Sequence, residues 1–262
     1  MKHLLAIAAV LIAGLVIGAP AQAQTVDEII AKGKIRIGVN AGAPPFSIVD
    51  AAGATIGYDV DVSNLLAKYL GVEVVISPFN AASRIPALES DKVDVVVATL
   101  SPTPARAQAV MFTMPYCTFQ IVILGPKSST VADFAGLSGV KVGLTRGTPQ
   151  EASVVAGAPA DAILTRFDDD STTMQALIAG QVDVIAIPET VYSELKKVRP
   201  ELEFEQKFVL YNQFMSIAVR QDAYELRQWL NTTLSFIKNN GELDAIAVKW
   251  TGKKLPTTMP VF

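Results

Sequence analysis

Two kinds of apolar spacing alternate along the chain. Residues 34–40 (KIRIGVN), 73–77 (EVVIS), 93–100 (VDVVVATL), 140–145 (VKVGLT), 162–167 (AILTRF) and 182–187 (VDVIAI) are short, rich in β-branched side chains and apolar almost throughout. Such runs predict strands covered on both faces. Between them, residues 59–71 (DVDVSNLLAKYLG), 85–90, 149–157 (PQEASVVAG) and 171–180 (STTMQALIAG) carry apolar positions at helical spacing, and Gly71 suits a helix end. Two longer helical runs, YELRQWLNTTLSFIKNNG and ELDAIAVKW, finish the chain. The alternation predicts an α/β protein with mainly parallel sheets between layers of helices.

The rhythm also repeats. Residues 85–100 (IPALESDKVDVVVATL) and 174–189 (MQALIAGQVDVIAIPE) both run helix, short turn, Val-Asp-Val strand, as two lobes of similar plan would. Residues 119–130 (FQIVILGPKSST) read as a strand crossing to the second lobe, and 214–222 (FMSIAVRQD) as the return. Two crossings make a hinge over a cleft, and such clefts take small ligands at the carboxyl ends of strands and the amino ends of helices.

The first residues change the compartment. After Lys2, an apolar run from Leu4 to Ala19 leads to Ala21-Gln22-Ala23, the pattern of a cleaved signal peptide over 1–23. The run is short for a membrane span, and no cysteine stands near the cut to carry a lipid. The secreted chain would keep 21 Lys+Arg against 25 Asp+Glu, a net charge of −4, and no histidine. Mild acidity argues against a nucleic-acid partner. With no histidine and Cys117 alone, Ser-His and Cys-His catalysis, zinc sites and an internal disulfide are excluded. No phosphate-binding glycine fingerprint occurs, so no metal or cofactor is expected. The acidic run Asp168-Asp169-Asp170 before Ser171 reads as helix capping and solvation. Phe46, Phe79, Tyr116 and Trp250 read as core, and Cys117 as a buried thiol.

Two arginines break the apolar logic. Arg84 stands in NAASRIPAL, at the start of a short helix whose Ile85, Ala87 and Leu88 look buried and whose first turn suits Pro86. There a cation meets the positive end of the helix dipole. Arg106 follows in SPTPARAQ, just after the next strand.

Residues 56–76 (IGYDVDVSNLLAKYLGVEVVI), 85–116 (IPALESDKVDVVVATLSPTPARAQAVMFTMPY) and 218–250 (AVRQDAYELRQWLNTTLSFIKNNGELDAIAVKW) resemble the polar amino-acid family of periplasmic solute-binding proteins, the capture subunits of ABC importers. The likeness spans the secreted chain in order. It implies a type II periplasmic-binding-protein fold, with two doubly wound lobes joined by a two-stranded hinge. Lobe one would comprise residues 24–122 and 216–262, and lobe two residues 123–215. It further implies a periplasmic, non-catalytic monomer that binds an amino acid or organic acid and docks on a membrane permease.

By the same resemblance, Arg106 after the Thr-Pro turn grips the ligand's α-carboxylate. A guanidinium offers the planar fork such a group accepts. Thr99 and Ser101 match positions that touch the same ligand, Thr148 in RGTPQE matches a donor at a helix start, and Asn40 is a further polar candidate. Thr148 is equally suited to act as an N-cap. Relatives that clamp a basic or aromatic side chain carry aromatic residues where this chain has Ala43 and Ala81. Arg84 stands as in members that resemble aspartate and glutamate binders, which implies a ligand with a second carboxylate. The family's ammonium-holding Asp falls on Pro188; either Glu189 substitutes, or the ligand lacks an amine. A rival reading is a secreted dehydratase on the same scaffold, acting on a prephenate-like dicarboxylate with Glu189 as general acid.

Overall fold

The computed structural model describes residues 25–259, so the expected signal segment and its cleavage site lie outside the described residues. The chain opens with α1 (Val26–Lys32), capped by Thr25 and closed by Gly33, and enters β1 (Lys34–Asn40). A small hairpin of β2 (Ile48–Val49) and β3 (Thr55–Ile56) leads into α2 (Tyr58–Leu70). Tyr58, Val62, Leu66 and Leu70 bury one stripe of α2, and Gly71 ends it. Then come β4 (Glu73–Phe79), α3 (Arg84–Glu89), β5 (Val95–Val96) and α4 (Pro104–Ala107).

The chain crosses between lobes on β6 (Val110–Pro126) and builds the second lobe from β7 (Lys141–Thr145), α5 (Pro149–Gly157), β8 (Ile163–Phe167), α6 (Asp170–Ile178), β9 (Val184–Pro188) and α7 (Glu189–Val198). It returns on β10 (Phe204–Arg220) and closes with α8 (Tyr224–Asn239) and α9 (Glu242–Thr251). The strand order is β4-β1-β5-β10-β6-β9-β7-β8. β1 pairs parallel with β4 and β5, and β7 parallel with β8 and β9, whereas β6 and β10 run antiparallel to each other and to their flanks. This is the two-lobed α/β arrangement expected from the alternating pattern.

Helices cover both faces of each half-sheet. In the first, Ile35, Ile37 and Val39 pack with Leu66, Leu230 and Leu243, while Val93, Val96 and Leu100 pack with Leu88 on the other face. In the second, Ile185 and Ile187 meet Met174, Leu177 and Val191, while Val142, Leu144 and Val184 meet Leu137 and Val154.

Four elements differ from their sequence reading. β5 keeps only two residues of the expected 93–100, although Val93 to Ala98 are all buried. The chain turns out of the sheet at Thr99, whose φ is +46°. β6 and β10 are 17 residues each, far longer than the crossings read from their apolar halves. The first half of β10 has alternating exposed and partly covered positions (FEQKFVLYNQ) rather than an apolar run, which hid it. α7, absent from the sequence reading, carries Val191, Leu195 and Val198 at helical spacing, although only Val191 is fully buried.

Beneath the Thr99 turn lies a buried polar chain. The Tyr58 hydroxyl donates to the Tyr116 carbonyl at 3.0 Å, and the Tyr116 hydroxyl donates to Asp59 Oδ1 at 2.7 Å. The same Tyr116 oxygen accepts from the Thr99 backbone N–H at 3.2 Å. Asp59 is fully buried and its Oδ2 has no partner. Burial pushes its carboxyl up to about 8, against the pull of the Tyr116 and Thr99 hydrogen bonds and of Arg84's charge. An acid whose folded pKa is raised stabilises the fold fully below its unfolded value and loses that contribution as pH rises through the folded one. Asp59→Asn keeps the shape and cannot ionise. Its stability relative to the parent should therefore climb between pH 4 and pH 8 by up to ~1.4 kcal/mol per pH unit. Urea unfolding of both proteins across that range checks this; a difference that does not vary with pH contradicts it.

Candidate functional site

The carboxyl ends of β1 and β5 and the amino end of α3 gather Asn40, Thr99, Ser101 and Arg84 on one wall of the seam between the lobes. Thr99 holds a positive φ that a β-branched residue adopts only under constraint. The constraint is visible: its backbone N–H bonds Tyr116, and its hydroxyl accepts from Asn40 Nδ2 at 3.1 Å. Asn40 is 6% exposed, and its Oδ1 is buried with no partner.

Arg84 is 2% exposed. Its Nε donates to the Ala81 carbonyl at 2.9 Å and its Nη1 to the Ala98 carbonyl, while Nη2 makes no hydrogen bond among the described residues. The guanidinium is thus neither a solvated helix-end charge nor half of an ion pair. Burial and the charge of Arg106 push its pKa down to about 9, with Asp170, Tyr116 and Asp59 pulling the other way. It stays cationic at neutral pH.

Arg106 follows the same logic on α4, whose start is set by Thr103 as N-cap and Pro104 in its first turn. Its Nη1 donates to the Ser101 carbonyl at 2.9 Å and hydroxyl at 3.3 Å, and its Nη2 reaches Gly147 O of the other lobe at 3.0 Å. Burial lowers its pKa to about 10. Arg36, Arg146, Arg166, Arg199 and Arg220 each have a carboxylate within 4.0 Å. Arg84 and Arg106 have none among the described residues.

Lobe two meets this wall closely. Gly147 has φ +75°, and a Cβ there would lie 2.9 Å from Ala82 Cα, so the position demands glycine twice over. Gly42 of lobe one, at φ +65°, approaches in the same way: a Cβ would stand 2.7 Å from Asp169 Cγ. Its carbonyl accepts from both the backbone N–H and the hydroxyl of Ser171 at 3.0 Å. The lobes are in contact across the seam.

Two expected residues are placed otherwise. Thr148 caps α5: its hydroxyl donates to Thr145 O at 2.6 Å and accepts from Glu151 N at 3.3 Å, so both its capacities are used locally. Glu189 begins α7 and lines a different cavity of about 600 Å³, with Thr118, Gln120, Asn212, Lys253 and Lys254. No hydrogen bond or ion pair joins it to either arginine among the described residues. The acidic run also divides. Asp168 pairs with Arg146 on the surface and Asp169 caps α6, but Asp170 is 5% exposed and is not solvated.

Sequence reasoning missed Asp59, Asp170, Gln150 and Tyr211. Gln150 Oε1 and the Tyr211 hydroxyl are buried without partners. Burial raises the Tyr211 pKa, and Arg106's charge acts against it, which places the phenol near that guanidinium. Only Asp59 left a trace in the sequence: an acid on the buried face of a helix. Ala43 and Ala81, in place of an aromatic clamp, are both buried.

Relatives give the arrangement its family. The arginine-binding protein 1 of an ABC transporter of Escherichia coli K12 is 30% identical over 221 residues, covering 83% of this chain and 90% of its own. The solute receptor for L-cysteine of Neisseria gonorrhoeae superposes with a TM-score of 0.80 at 32% identity, over 87% of this chain and 93% of that one. An ancestral amino acid-binding protein described as a precursor of cyclohexadienyl dehydratase does so with a TM-score of 0.80 at 30% identity, over 86% and 99%. Residues 35–253 match the family model of the bacterial extracellular solute-binding proteins, family 3, and the chain belongs to that family.

Proposed function

We propose that this protein captures an amino acid outside the cytoplasm, with preference for an acidic one, and presents it to an ABC permease without transforming it. The observation that carries this reading is the pair of guanidinium groups, Arg84 and Arg106, held at one seam with no carboxylate of their own. A cation taken out of water needs an anion, and breaking a buried pair by deleting one partner costs about 3–5 kcal/mol. A ligand with two carboxylates meets that need. Arg106 takes the α-carboxylate, bracing against Ser101, and Arg84 takes the second. The relatives support amino-acid capture, since their names record arginine and cysteine as ligands. Arg84 is what argues for a different side chain here: a cationic ligand tail beside a guanidinium already pushed down to about 9 would meet like charge. Closure of the lobes over the ligand is the form a permease would recognise.

The dehydratase reading draws on the ancestral precursor among the similar structures. It needs an acid beside the carboxylate-binding arginines, and its nominee, Glu189, opens into the other cavity. Incubation with prephenate should give no aromatic product.

Arg106→Ala should lower the affinity for every carboxylate ligand at least about 100-fold while leaving the unfolding midpoint of the free protein nearly unchanged. Calorimetry within threefold of the parent overturns the assignment. The parent should also bind glutamate or aspartate more tightly than the matching amide by about 2–3 kcal/mol, roughly 30- to 150-fold, because the amide leaves Arg84 without a countercharge. Arg84→Met keeps the side-chain length and should erase that preference. A parent that favours neutral amino acids, or a variant that keeps the acid preference, refutes the role given to Arg84.

A further inference from the structure

A site with two guanidiniums and no acid would bind a dicarboxylate and be indifferent to an amine. Three acids are buried among the described residues: Asp59, Asp94 and Asp170. Asp94 is spent on Arg36, whose side chain bonds its Oδ1 at 2.5 and 3.0 Å and whose backbone N–H bonds its Oδ2 at 2.7 Å. Asp59 sits in the core of lobe one behind Tyr116. Asp170 alone stands on lobe two, between the carboxyl end of β8 and the first turn of α6.

Its neighbours fix where it lies. Asp169 and Ser171, on either side, both lie against Gly42 of lobe one, so Asp170 begins α6 where the two lobes meet. The Thr145 hydroxyl donates to Oδ1 at 2.6 Å, while Oδ2 accepts no hydrogen bond among the described residues. The charge of Arg84, on the other lobe, favours the ionised carboxylate, yet the two form no ion pair. Two buried groups of opposite charge, one on each lobe, are thus left without each other as partners. The unpartnered Asn40 Oδ1 on the lobe-one wall is a second acceptor with nothing to accept.

We infer that Asp170 is the acceptor for the ligand's ammonium group, so that the site is built for a zwitterion with its carboxylates on Arg84 and Arg106 and its amine on lobe two. This rests on the capture reading and deepens it. The amine then also pulls the lobes together, because its acceptor lies on the opposite lobe from the arginines.

Calorimetry of the secreted protein with L-glutamate and with glutarate, which lacks only the amine, tests the assignment. The parent should prefer L-glutamate about 10- to 100-fold, and Asp170→Asn should lose that factor for L-glutamate while binding glutarate as tightly as before or tighter. A pH profile gives a readout that a packing role would not move. Burial raises the Asp170 carboxyl to about 6, with Thr145 and Arg84 lowering it and Asp169 adding to the rise. Binding an ammonium needs the ionised form, so the parent's affinity for L-glutamate should fall from pH 7.5 to pH 5, and that of Asp170→Asn should not. If the asparagine variant does not fold, Thr145→Val removes the hydroxyl that stabilises the carboxylate and should move the same midpoint to higher pH. Equal weakening of both ligands in Asp170→Asn, or a parent indifferent to the amine, overturns the role of Asp170 and leaves carboxylate capture standing. A parent that binds L-arginine but neither acid overturns the acidic preference instead. The comparison of L-arginine with 5-guanidinopentanoate then decides on Asp170 by the same loss of preference. Binding of none of these overturns both.

Discussion

Because β6 and β10 run together as one antiparallel ladder, the first half-sheet, bonded to β10, and the second, bonded to β6, are joined through those two strands. β5 joins that ladder at Ala218 on one side, and β9 joins it at Ile121 to Leu124 on the other. The register shifts along it, from Gln206 to Ala218, are where a twisted ladder can bend without losing every bond. The lobes therefore keep their own cores on a shared spine. At the seam, Asn40 Oδ1 and Arg84 Nη2 have no hydrogen-bond partner among the described residues.

That incompleteness is concentrated on one side. Lobe one presents cations: Arg84 clamped by the carbonyls of Ala81 and Ala98, and Arg106 braced by Ser101. Both are fixed by backbone acceptors, which satisfy geometry and leave the charge uncompensated. The Thr99 turn holds this wall in place through Asn40, Tyr116 and Asp59. Strain at a β-branched residue is tolerated there because hydrogen bonds to Asn40 and to Tyr116, itself held by Asp59, over-determine it. Lobe two presents a backbone carbonyl at Gly147 and the carboxylate of Asp170. The polarity runs across the seam, so a ligand with charges at both ends joins the lobes, whereas a simple anion engages one wall.

The pressure for small residues follows from the same closeness. Gly42 and Gly147 mark the two places where backbone from one lobe meets the other at less than side-chain distance. Ala81 and Ala82 lie against the same approach, and Ala81 gives its carbonyl to Arg84.

The sequence by itself determined the parts whose signal is local. Apolar runs located the parallel strands; burial on both faces explains this for β1, β7 and β9, whereas the edge strands β4 and β8 have no fully buried residue. Helical spacing with Gly71 located α2 to the residue at its end. The Thr-Pro turn placed Arg106 at a helix start, and an arginine among apolar neighbours marked Arg84 as unusual. What the sequence could not carry was anything decided by distant partners. The exposed half of β10 reads as loop because its pairing with β6, not its own composition, makes it a strand. Thr148 and Glu189 looked like ligand contacts by position, but a local cap claimed one and the face of α7 turned the other toward a separate cavity. Asp168, Asp169 and Asp170 are identical letters with three fates: a surface ion pair, a helix cap and a buried carboxylate at the seam. Burial is a property of the neighbours that cover a group, and the one that binds Asp170, the Thr145 hydroxyl, comes from a strand 25 residues earlier in the chain.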